Sequence, residues 1–183
     1  MASTASSSSG TEVGTVGDSR TWILGALALI FVFGLSLAFF DSGSDGALFS
    51  TSIASMSGFT AGALLSVRHL RAGRDMAAAG FAGMAILSIA EVVAGFSGPS
   101  PDQVFVSLAI LHLPAQALIA SQDWSPLWTR AAAALSGVVL AIYGYVYTFG
   151  DDPADPENAI LIAGYVLLLI TVIGWFMTVK DEA

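Results

Sequence analysis

Six apolar runs, separated only by short polar breaks, follow one another along this chain. No other feature restricts the fold so strongly. A hydrocarbon core about 30 Å thick takes about 20 residues of helix to cross. The runs cover residues 21–40, 48–68, 76–96, 103–121, 127–149 and 158–179. The breaks read "DSGSDG", "RHLRAGR", "SGPSP", "QDWSP" and "GDDPADPE", and each holds Gly, Pro or charge, the usual punctuation between helices. Backbone groups in lipid must satisfy one another, and runs of this length do so as helices. The expected fold is an all-α membrane protein, a bundle of six transmembrane helices spanning residues 21–180.

Composition agrees. Hydrophobic residues make up 55% of the chain and charged residues 11%, against about a quarter charged in a soluble domain. Mean hydropathy is +0.77. Residues 1–20 are rich in Ser, Thr and Gly and too polar to bury a core, so they read as a disordered cytoplasmic tail. With Glu12 and Asp18 and no basic start, this segment is not expected to act as a signal peptide. Residues 181–183 form a short C-terminal tail.

Charge sets the threading. If both termini are cytoplasmic, Arg20, Arg68, Arg71, Arg74, Arg130 and Lys180 all fall on one side. Asp41, Asp45, Asp102, Asp151, Asp152, Asp155 and Glu157 fall on the other, with no Lys or Arg among them. The positive-inside rule then gives N-in and C-in in a cell membrane. A net charge of −8, a single Lys and abundant Ala and Gly point to a high-GC or salt-adapted prokaryote. The lipid bilayer is the first partner. No basic patch exists to neutralise nucleic-acid phosphates. Trp22, Trp124, Trp128 and Trp175 lie toward the cytoplasmic ends of their runs, and Tyr143, Tyr145 and Tyr147 toward the outer end, as interfacial anchors do.

Packing signals concentrate on the second run. Ala54, Gly58, Gly62 and Ser66 recur every four residues, a small-residue stripe that lets helix backbones approach closely. It suits packing inside the bundle, or a seam with a second copy or another membrane subunit. The fifth run has a shorter stripe in Ala133, Gly137 and Ala141.

Polar groups at membrane depth are few and carry the functional expectation. Glu91 sits on the third run, with Ser88 on the same face one turn earlier. His112 and Gln116 share a face of the fourth run, where Pro114 frees the Ile110 carbonyl. From helix rise, Glu91 lies about 8 Å below the outer boundary and His112 about 15 Å below it. Direct pairing of Glu91 with His112 therefore needs tilt or a bend at Pro114. The plain readings are a protonated or snorkelling acid for Glu91 and a helix-locking hydrogen bond for His112. The functional reading is a locus of Glu91, His112, Gln116, Ser88 and Pro114 that passes protons, ions or a small solute.

Other chemistries find less. Cysteine is absent, which excludes disulfides and a thiol nucleophile within the chain. "GFSG", residues 95–98, resembles the serine motif of rhomboid intramembrane proteases, a family with a six-helix core. The resemblance covers four residues, and it implies Ser97 as nucleophile with a His on the sixth core helix. Here the sixth run has no His, and Ser97 ends the third run rather than standing in the fourth. No catalytic residues, metal site or cofactor are therefore assigned. Retinal would need a Lys within a run, and the one Lys is at the end of the sixth. Two functions stay open: translocation through the polar locus, or a non-catalytic scaffold or accessory subunit packing through small-residue faces.

Overall fold

The computed structural model describes residues 19–41, 44–96, 101–149 and 159–182, and among these the chain is entirely helical. Helices α1 (Ser19–Ser36), α2 (Asp45–Arg71), α3 (Asp75–Phe96), α4 (Pro101–Ala120), α5 (Leu127–Phe149) and α6 (Ala159–Asp181) fall on the six apolar runs, and α1 ends in a single 3-10 turn, Leu37–Phe39. Five helical segments are long and apolar enough to cross a membrane: Ser19–Phe39, Asp45–Arg71, Asp75–Val93, Leu127–Thr148 and Ala159–Asp181. In α4 the described apolar stretch, Leu108–Ala120, is shorter. Ser97, the "GDDPADPE" break and residues 1–18 lie outside the described residues, as does the side chain of Asp102.

Local chemistry explains the helix ends. The Ser44 hydroxyl accepts from the Ala47 amide at 3.2 Å and caps α2, whose first turn carries Asp45 at the positive end of the dipole. The "RHLRAGR" break is shorter than expected, because α2 continues to Arg71 and takes His69 into its last turn. Gly73 then adopts φ +69°. The Arg74 amide donates to the His69 carbonyl at 2.9 Å and the Gly73 amide to the Leu70 carbonyl at 3.1 Å. This is the Schellman closure, and the left-handed residue it needs is why glycine stands there. α3 follows at once, so α2 and α3 form a tight antiparallel hairpin.

The six helices close into a ring. Each packs on its chain neighbours, and α1 packs on α6; among the described residues no backbone contact joins helices across the ring. Basic side chains fasten one end of it. The Arg20 guanidinium donates to the Val179 carbonyl at 3.1 Å and also to the Lys180 carbonyl, tying the start of α1 to the end of α6. Arg130 donates to the Ala120 carbonyl at 2.8 Å, placing positive charge at the C-terminus of α4. Glu182 pairs with Arg68 and lies 4.0 Å from Arg74.

Burial runs as a bilayer requires. The outer surface carries large apolar side chains, among them Leu29, Val32, Ile86, Leu111, Leu135 and Ile162. Ser55, His112, Gln116, Ser136 and Thr171 are buried. In lipid an exposed apolar surface costs nothing, so helix contact rests on close packing and on hydrogen bonds.

The main core lies toward the basic end, where Ile23, Leu27, Leu65, Phe81, Ile119, Val172 and Trp175 meet. Two of the four tryptophans expected as interfacial anchors belong to it. Trp22 is 66% exposed and Trp128 46%, as anchors should be, but Trp124 and Trp175 are buried inside the ring. Their spacing along the runs gave depth but not direction. Tyr143 likewise turns inward and is buried, while Tyr145 is exposed.

Candidate functional site

The site begins with the register of the α2–α3 hairpin. Ser55 and Glu91 lie 18 residues before and after Gly73 (73 − 55 and 91 − 73), and Gly58 and Ser88 lie 15 before and after it. Folding the chain about Gly73 puts both pairs level. The Ser55 hydroxyl donates to Glu91 Oε2 at 3.0 Å. A Cβ built on Gly58 would stand 2.6 Å from Ser88 Oγ, and one on Gly62 would stand 2.9 Å from the Phe81 carbonyl oxygen. The small residues of α2 thus let α3 approach, and that approach brings Ser55 to the carboxylate.

Two tyrosines complete the surroundings. Tyr165 of α6 lies within electrostatic reach of both Glu91 and Tyr143. Since α3 and α6 are not neighbours in the ring, this influence of Glu91 on Tyr165 acts across its interior. Tyr143 of α5 is buried and packs against Tyr147, ring centroids 4.5 Å apart. Four helices therefore bring Ser55, Glu91, Tyr143 and Tyr165 to one interior locus. A carboxyl group there can hold a proton or pair with a cation. The neighbouring hydroxyls can donate to it when it is ionised and accept from it when it is protonated. Among the described residues no group of three or more His, Asp or Glu stands ready to hold a metal ion.

The remaining expected site residues separate from Glu91. His112 is buried, and its Nδ1 lies 3.2 Å from the Leu108 carbonyl of its own helix. Gln116 is fully buried; its amide nitrogen donates to Met84 Sδ at 3.7 Å, and its oxygen has no hydrogen-bond partner. A Cβ on Gly137 would stand 2.9 Å from Gln116 Cβ and 3.3 Å from the His112 carbonyl oxygen, so α5 presses directly on this face of α4. His112 and Gln116 belong to the seam of α3, α4 and α5. Pro114 is exposed, and α4 continues through it. Ser88 lies against Gly58. Glu91 makes its hydrogen bond with Ser55, not with His112.

Sequence reasoning missed Ser55, Tyr143 and Tyr165 as members of the site. The hairpin symmetry about Gly73 was a usable signal for Ser55. Nothing in the linear order of the chain points to Tyr165, which reaches Glu91 only because the ring closes. No known protein family matches the chain, and no curated protein or solved structure is similar to it.

Proposed function

We propose that this chain is a six-span protein of the cell membrane, with both termini cytoplasmic, that passes protons, or a cation or small solute coupled to them, through the interior of its helix ring. Glu91 is the group that takes up and releases the charge. The observation that carries this reading is a half-buried carboxylate that accepts a hydrogen bond from Ser55 and lies within electrostatic reach of Tyr165 across the ring. An ionisable group costs free energy at this depth, and such groups usually mark ion and proton pathways. Relative to the locus expected from the sequence, the working groups shift from α3 and α4 to α2, α3, α5 and α6. The alternative of a scaffold binding another span along the α2 stripe draws no support from Gly58 and Gly62, whose faces α3 already occupies.

Proton flux into liposomes carrying the purified protein, driven by a potassium diffusion potential and followed with an entrapped pH dye, tests the mechanism. Glu91→Gln is expected to bring flux to the level of empty liposomes, Glu91→Asp to keep part of it, and His112→Ala to keep most of it. Undiminished flux in Glu91→Gln, or no flux in the wild type, overturns the reading.

The threading has its own test, made clean by the lack of cysteine. Ala72→Cys at the basic end and Thr148→Cys at the other end are both at exposed positions. In intact cells an impermeant maleimide should label the second and not the first. The reverse pattern refutes N-in, C-in.

A further inference from the structure

Hydrogen bonding is nearly complete through most of the bundle. The Thr171 hydroxyl donates to the Leu167 carbonyl at 2.8 Å, the Ser136 hydroxyl to the Gly164 carbonyl at 3.1 Å, and the Thr178 hydroxyl to the Gly174 carbonyl at 2.8 Å. Apart from the Gln116 oxygen, one region departs from this. At the basic end both ring nitrogens of His69, the indole nitrogens of Trp124 and Trp175, and the hydroxyls of Ser125 and Thr129 are buried with no hydrogen-bond partner. All five residues are less than a tenth exposed. Folded proteins pair nearly all such atoms, and a local concentration of unpaired ones calls for an occupant.

The five residues form one neighbourhood. The His69 ring stands 4.5 Å from that of Trp124 and 5.2 Å from that of Phe81, and Phe81 stands 4.9 Å from Trp175. Thr129 packs against Gly174, next in the chain to Trp175: a Cβ there would stand 2.5 Å from the Thr129 methyl carbon. Ser125 lies between Trp124 and the first turn of α5.

Their chemistry selects the occupant. Two indole N–H groups can only donate, two hydroxyls can donate, and a neutral imidazole donates from one nitrogen. No unpaired acid stands among them. The N-terminus of α5 adds the positive end of a helix dipole, with Pro126 at its N-cap and the unpaired Ser125 hydroxyl one residue before it. Arg68 and Arg74 lie within electrostatic reach of His69, with Glu182 paired to Arg68 and 4.0 Å from Arg74. The excess of donors and their burial together favour a small anion over a cation. A groove of about 310 Å³ opens on the same face, lined by Trp124, Pro126 and Trp128 on one side and by Thr178, Asp181 and Glu182 on the other.

We propose that His69, Trp124, Ser125, Thr129 and Trp175 form a buried site for a small monovalent anion of halide size at the basic end of the ring. It is separate from the Glu91 locus and does not depend on translocation.

Bromide tests it, because it quenches indole fluorescence. In the Trp22→Phe/Trp128→Phe background only Trp124 and Trp175 report. Replacing gluconate with bromide at constant ionic strength should quench them along a saturating curve, and wild-type protein should melt at a higher temperature in bromide than in gluconate. Ser125→Ala combined with Thr129→Val should weaken the apparent affinity at least ten-fold, while Thr129→Ser keeps it. Quenching that rises linearly without saturation, together with equal melting temperatures for the wild type in the two salts, overturns the proposal and leaves water as the occupant. The wild-type comparison stands even if the double variant fails to fold.

Discussion

Helices α3 and α6 face each other at two levels across the ring, and the two levels differ in kind. Phe81 packs on Trp175 with ring centroids 4.9 Å apart. Ten residues further along α3 and ten residues back along α6, Glu91 comes within electrostatic reach of Tyr165. By helix rise the two levels are about 15 Å apart. The backbones run the same antiparallel course at both. At the first level, edge-to-face aromatic contacts extend from Phe81 to Trp124 as well, and they plug the ring. At the second, a carboxylate, a serine and tyrosines fill the same interior with groups that can exchange protons. Closure of a ring therefore does not fix what its interior does; the side chains at each level do.

Substitutions at each level sharpen the contrast. Phe81→Ala should have the largest effect. It removes a side chain that is 1% exposed and contacts three rings, and deletions of this kind cost about 3–5 kcal/mol through lost contacts and an unfilled cavity. A steep fall in melting temperature and in yield of folded protein is expected; a melting curve like that of the wild type would show that the plug does not hold the ring. At the other level, Ser55→Ala removes one hydrogen bond to Glu91. It should lower stability by about 1 kcal/mol and yet change the pH dependence of proton flux, since it alters the partner of the charged group. Unchanged flux at every pH would separate Ser55 from the function of Glu91.

Much of the fold was legible in the sequence because the solvent is so selective. Lipid requires helices, helices require length, and the breaks were marked by Gly, Pro and charge. The basic residues gather at one end of the ring, where Arg20 and Arg130 also cap helix C-termini. Side-chain direction was harder to read. Trp124, in the α4–α5 loop, packs inward against Phe81. Trp175 reads as an anchor but turns inward, because in a six-membered ring some face of every helix looks into the middle. Tyr143 turns in for the same reason.

The candidate site was legible by half. Glu91 was visible as the acid in an apolar run. Its pairing with His112 assumed that chain neighbours α3 and α4 supply each other's partners, but α2, on the opposite flank of α3, supplies Ser55 instead. The equal offsets of Ser55 and Glu91 from Gly73 would have shown this. The contribution of α6 belongs to the closed topology and has no local signature.

The tie from Arg20 to the end of α6 has a further consequence. Because the first and last helices are neighbours, helix order around the ring is circular, and every helix has one partner on each side. The covalent chain is then a circle cut at one place. A chain cut at another loop, with α6 joined to α1, would meet the same neighbours in the same order. Arg20, bridging the gap without a peptide bond, does the work of the missing loop.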